Sequence, residues 1–222
     1  MTTIKDRYLQ LISEDFENLS QLSLSQMVLV KKILENKDES LFFNAEENEK
    51  RMDGLDLSLR DKIVFAILKF NPKGKNLRFI ITHYDIAVYL ERIGDLLLNV
   101  VHFLENIDFE QIKHQKIKTE VKKMILDVES MLQTAIISFF NHDSEAAYHT
   151  LEMDDKIDKH FKEINRNLQR KFSHQSLSET DIRNILNISG ISQSLERIGD
   201  NATNIAEATV FLVEGSDIRH KP

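Results

Sequence analysis

Leu90-Glu91-Arg92-Ile93-Gly94-Asp95 recurs as Leu195-Glu196-Arg197-Ile198-Gly199-Asp200. The offset is 105 (196 − 91 = 105), and it extends well beyond these six residues. Asn99 and Asn204 follow each Asp by four positions. The same offset pairs Asn36 with Asn141, Asp38 with Asp143, Asp53 with Asp158, Arg78 with Arg183, and Thr3 with Asp108. One offset holding from Thr3 to Asn99 means two copies of one unit with few net insertions.

Punctuation sets what the unit is made of. The 222 residues include only 6 Gly and 2 Pro, too few turn residues for a sheet protein of this length. Neither occurs from Thr2 to Asp53, and from Lys75 to Ser189 only Gly94 does. Apolar residues at Ile4, Tyr8, Leu11, Ile12, Phe16, Leu19 and Leu22 recur at three and four, the spacing of one helical face. Boundary signals separate the helices. Thr3-x-x-Asp6, Asp108-x-x-Gln111 and Ser176-x-x-Glu179 resemble capping boxes. Asp38 and Asp143 are expected N-caps, Asn71-Pro72-Lys73-Gly74 is a turn, and Gly215 is an expected C-terminal cap. The expectation is six helices at 3–36, 39–70, 76–106, 109–141, 144–173 and 178–214. The fold class is all-α: two tandem pseudo-symmetric three-helix bundles of long antiparallel helices, 1–107 and 108–222. No linker composition appears near Asn106–Phe109, so the two bundles are expected to pack tightly.

Glu91, Asp95 and Asn99 stand at i, i+4, i+8, and so do Glu196, Asp200 and Asn204. That spacing stacks oxygen-bearing side chains along one stripe. The preceding helix of each unit carries a second set: Glu49, Asp53 and Asp56 in the first, Asp154 and Asp158 in the second. Antiparallel neighbours can bring the sets face to face. Two carboxylates about 4 Å apart then repel by roughly 4 kcal/mol at an effective dielectric of 20. Solvent, nearby Arg, protonation or a cation can each offset that, and oxygen ligands suit Mg, Mn and Fe, with Zn also accepted. The plain alternative is a solvated acidic face. Gly94 and Gly199 each cost about 1 kcal/mol inside a helix, so close helix approach or room beside a cluster should stand behind them. Arg92 and Arg197 read as solvated or salt-bridging residues.

The pattern speaks against other chemistry. No Glu-x-x-His, His-Glu-x-x-His, phosphate-binding Gly-rich loop or Gly-x-Ser-x-Gly elbow occurs. The absence of Cys removes disulfides and thiolate chemistry. A net charge of −7 and a pI near 5.6 argue against nucleic acid as partner. The longest apolar run, Ile63 to Leu68, is far below a membrane span, and the N-terminus has no apolar signal core, so a cytoplasmic protein is expected. His142 and His149 read as surface residues, whereas His160 and His220 lie near candidate functional stretches.

The doubled Leu-Glu-Arg-Ile-Gly-Asp motif resembles the phosphate-uptake regulator family, PhoU. The likeness is strongest from Leu195 to Glu207, continues through Phe211–Gly215 to Arg219-His220, and includes Asp154-Asp155-Lys156-Ile157-Asp158. Glu49-Lys50-Arg51-Met52-Asp53 is its variant in the first unit. The resemblance implies two three-helix bundles and multinuclear metal clusters, iron or zinc first, with Mn or Mg as alternatives. The metal residues it implies are Glu49, Asp53, Glu91, Asp95, Asn99, Asp154, Asp158, Glu196, Asp200 and Asn204. It further implies a non-enzymatic regulator acting with the phosphate ABC transporter ATPase and a sensor histidine kinase, keeping phosphate-starvation genes off when phosphate is plentiful. Membrane contact would then be indirect, through the transporter, and a homodimer is compatible with the helical bundle. The alternatives are a helper of another phosphate permease, such as a sodium-coupled one, a carboxylate-cluster metalloenzyme, and a plain helical interaction protein. The units also differ: Leu96-Leu97-Leu98 stands against Asn201-Ala202-Thr203, and Asp56 against Phe161, so the two sites need not bind equally.

Overall fold

A computed structural model describes residues 4–107, 109, 115–172 and 177–218. Among these are six helices and no strand: α1 (Ile4–Glu35), α2 (Glu39–Phe70), α3 (Lys75–Asn106), α4 (Gln115–Asn141), α5 (Ser144–Phe172) and α6 (Glu179–Glu214). Each helix of the first unit has 32 residues, about 48 Å at 1.5 Å per residue.

The local chemistry explains most of the ends. Asp38 caps α2 by accepting from the Ser40 N–H at 2.9 Å, and Asp143 accepts from the Ala146 N–H at 3.0 Å at the start of α5. Asn71 closes α2 and Gly215 closes α6, both in the left-handed region. The α6 box lies two residues later than expected. Ser178 and Asp181 satisfy each other's backbone N–H groups, because the helix begins at Glu179. The expected caps Thr3, Asp108 and Ser176 lie outside the described residues, as do Gln111, Arg219 and His220.

Within each unit all three helices pack on one another: α1, α2 and α3, then α4, α5 and α6. Between the units, α3 lies along α6 in the most extensive contact of the molecule, and α1 touches α4. One hydrophobic core runs through both units, from Ile12 to Ala208. At the α1–α4 seam the Phe16 and Phe139 rings lie 4.9 Å apart, and both flank the buried His83. Near the far end of α3 its Phe103 ring sits on the α6 backbone at Gly190. A Cβ there would lie 2.6 Å from Phe103 Cζ. At the other end Arg78 of α3 covers the C-terminus of α6. Its guanidinium sits against Gly215, and its Cζ lies 5.6 Å from the Phe211 ring centroid. A cation there also complements the helix dipole. The two units therefore close on each other as the missing linker composition implies.

Candidate functional site

The two glycines of the repeated motif are there for close helix approach. A Cβ on Gly94 would lie 2.7 Å from Met52 Cε, and one on Gly199 would lie 3.3 Å from Ile157 Cγ2. Met52 and Ile157 are themselves 105 apart and each precedes the motif Asp of its helix. The apolar residue locks α2 onto α3 and α5 onto α6, and in doing so turns the acidic residues beside it toward the facing helix. At Gly199 the Asp154 Oδ1 is also near, 3.7 Å from the Cβ position.

In the first unit Glu49, Asp53 and Asp95 each offer a carboxylate oxygen within 4.8 Å of the others. Among the described residues this is the one such triplet of His, Asp or Glu. Burial raises Glu49 above the usual carboxylate range, and the charges of Asp53 and Asp95 add to the shift. Burial also raises Asp95, with Asp53 next. Glu91 is raised by burial and then by Asp95 and Asp56, with Arg60 opposing. The donor set is hard, anionic and convergent, the kind that suits an oxygen-preferring cation.

The second unit builds a looser version. Glu196 is raised by burial, then by Asp200, Asp158 and Asp154. Asp154 is raised by burial, then by Asp200, Asp158 and Asp155, and Asp200 by burial and then Asp158. Glu196 thus feels the other three, and Asp154 and Asp200 interact across α5 and α6. Lys162, one turn along, draws Asp158 aside at 2.7 Å. Leu57 stands at the equivalent place in the first unit, so no lysine competes there.

Of the sequence-derived residues, Glu49, Asp53 and Asp95 come together, Glu91 joins them electrostatically, and Asp154, Asp158, Glu196 and Asp200 form the second group. Asn99 is exposed and Asn204 half-buried, each one turn beyond its Asp. Arg92 and Arg197 are exposed, as a solvated reading expects, and Arg197 lowers Asp200 and Glu196 slightly against the repulsion.

Two pairings escaped the sequence reading. Asp56 is buried, 7% exposed, and pairs with Arg60 at 2.7 Å. Asp127 of α4 reaches α5, accepting from Lys156 at 2.7 Å and meeting His160 Nε2 at 2.8 Å. Burial pushes Asp127 up, but the two hydrogen bonds outweigh it and hold the carboxyl below its ordinary value. The available signal was a mismatch under the offset, since Asp127 corresponds to Leu22 and His160 to Leu55.

The described residues define a class: tandem, pseudo-symmetric helical repeats with a cross-helix carboxylate group in each half. The chain belongs to the PhoU family. The PhoU domain matches twice, over residues 16–104 and 121–209, and both ends are displaced by 105 (121 − 16 = 105; 209 − 104 = 105). The phosphate-specific transport system accessory protein PhoU homolog 1 of Thermotoga maritima is 29% identical over 96% of this chain and 90% of its own length. The Escherichia coli protein named phosphate-specific transport system accessory protein PhoU is 27% identical over 84% of this chain and 76% of its own. The crystal structure of PhoU from Pseudomonas aeruginosa superposes with a TM-score of 0.87 and 26% identity, covering 95% of this chain and 99% of that one.

Proposed function

We propose that this chain is a non-enzymatic, cytoplasmic accessory protein of phosphate transport that binds metal at both carboxylate groups. It would act as an adaptor between a phosphate ABC transporter and a sensor histidine kinase, repressing phosphate-starvation genes when phosphate is plentiful. The observation that carries the metal part is the convergence of Glu49, Asp53 and Asp95 within 4.8 Å, with Glu91 beside them. The names of the relatives support the phosphate part. No helix of the described residues is long and apolar enough to cross a membrane, so docking to a transporter would be the route to the bilayer.

Glu49, Asp53, Glu91 and Asp95 would hold cations in the first unit, and Asp154, Asp158, Glu196 and Asp200 in the second, with Asn99 and Asn204 as outer oxygen ligands. A bound cation, iron or zinc first, with manganese or magnesium as alternatives, would supply the positive charge these groups lack. The protein's own part is geometric. Met52 on Gly94 and Ile157 on Gly199 fix the helix spacing, and the carboxylates set the angle at which α2 and α5 lie on the central α3–α6 pair. Tying carboxylates across that spacing would give the outer surface one shape for a partner, including a second copy of the chain.

Elemental mass spectrometry on protein purified without chelator or metal-affinity tag tests the metal. Stoichiometric metal, lost in an Asp154→Ala/Asp95→Ala variant, is expected. A deletion strain tests the regulation. Phosphate-scavenging genes should be derepressed in phosphate-rich medium, and unchanged repression would sink that part of the reading.

A further inference from the structure

We propose that Arg60 is a tethered cation occupying one cation position of the first carboxylate group, so that the first unit takes up one divalent ion fewer than its five carboxylates would otherwise hold. This rests on the reading of the carboxylate groups as cation sites and goes one step further, to what limits the first of them.

The first carboxylate group has one acidic residue more than the second. Asp56 stands on α2 where the second unit has Phe161, and Arg60 stands where it has Asn165. Tyr84 of α3 faces them where the second unit has Ser189. The three differences occur together. In the second unit that region is neutral: Asn165 donates to the Phe161 carbonyl at 2.9 Å and accepts from Ser189 Oγ at 3.4 Å. In the first it is ionic. Arg60 Nε lies 2.7 Å from Asp56 Oδ2, and the guanidinium carbon is 5.5 Å from the Tyr84 ring centroid.

Asp56 itself points to a ligand. It is 7% exposed, and its Oδ1 is buried without a hydrogen-bond partner. A carboxylate so desolvated needs a cation close by. Its charge presses on Glu91 across the α2–α3 contact, and the opposing charge of Arg60 is felt at Glu91 too. Glu91 in turn feels Asp95 and Asp53, members of the compact triplet. One acidic line therefore runs from Glu49, Asp53 and Asp95 through Glu91 to Asp56, and Arg60 closes its inner end. The guanidinium stays charged at every accessible pH and cannot be displaced from the chain. With it, the formal charge of the first group is −5 + 1 = −4, one charge less negative than its five carboxylates alone. Arg60 thus supplies the charge that a further ion would otherwise bring.

The test uses the full chain with the second group silenced, Asp154→Asn/Asp200→Asn, and counts Mn²⁺ bound per chain from the free-ion electron paramagnetic resonance signal at pH 7. Arg60→Gln in that background should bind one Mn²⁺ more than its parent. Arg60→Lys, which keeps the charge, should match the parent. Asp56→Asn/Arg60→Gln, which removes the vacated carboxylate as well, should return to the parent count. Arg60→Met, whose stem still packs on Tyr84, gives the same reading should the Gln variant fold poorly. A parent that binds Mn²⁺ with an Arg60→Gln count and affinity that do not change overturns the proposal and leaves the metal reading standing. A parent that binds none while Arg60→Gln binds one supports the proposal and sinks the metal reading of the native first group. Binding by neither overturns both.

Discussion

Asp95→Asn should change the sign of its effect on stability with the metal content of the buffer. In the chain without metal, Asp95 repels Asp53 and Glu49, whose oxygens lie within 4.8 Å. Two unit charges at that distance repel by about 1 kcal/mol in water and about 3 kcal/mol at an effective dielectric of 20. Asp53 and Asp95 are exposed, which puts the pairs near the watery limit. Removing one charge removes two such pairs, so the metal-free variant should be more stable than its parent by about 1–2 kcal/mol. With a cation bound the same carboxylate is a ligand. An ion at a hundred times its dissociation constant stabilises the parent by about 2.7 kcal/mol, and the variant forfeits much of that. The assay is urea unfolding by circular dichroism in the Asp154→Asn/Asp200→Asn background, once with EDTA and once with Mn²⁺. The midpoints of parent and variant should cross: variant higher with EDTA, parent higher with Mn²⁺. An Asp95→Asn variant less stable in both buffers, or equally shifted by Mn²⁺, would refute the reasoning.

His83 should carry a distinct acid response. Burial lowers it from 6.5 to about 4, against the bond its Nδ1–H donates to the Phe79 carbonyl. The unfolded chain then binds the extra proton first, so stability falls as pH drops from about 6.5 to about 4 and levels off below. The full loss is about 3 kcal/mol. The carboxylates with raised values work in the opposite direction, so the check is the difference in unfolding free energy between wild type and His83→Leu across that window, where they cancel. Gly190→Ala should destabilise the parent through overpacking against Phe103, by about 1–3 kcal/mol less the roughly 1 kcal/mol gained in helix propensity. In a Phe103→Ala background the same change should stabilise by about 1 kcal/mol, and a thermal double-mutant cycle without coupling would contradict the contact. Ser178→Ala should cost about 1 kcal/mol and speed amide exchange in the first turn of α6, which Ser178 and Asp181 close.

The repeat, the helix count, the caps at Asp38, Asp143 and Gly215 and the residue types of both acidic stripes could be read from the chain alone. These are local or periodic properties. A helix of 3.6 residues per turn writes its faces into the spacing of its own residues, and a duplicated unit writes its symmetry as one offset. The spacing left open whether the stripes were solvated or paired, because that depends on the rotational phase of one helix against another. Packing at two glycines set that phase: Met52 on Gly94 and Ile157 on Gly199 leave the carboxylates facing the neighbouring helix. The inequality of the two groups is likewise tertiary. Glu49, Asp53 and Asp95 close to within 4.8 Å, while Lys162 holds Asp158 aside. Asp56 is buried only in the assembled bundle, whereas its pairing with Arg60, four residues on, is a contact within α2. Desolvation and cross-helix Coulomb interactions depend on distances that no single helix specifies, so the chain named the acidic residues and only the fold decided which of them meet.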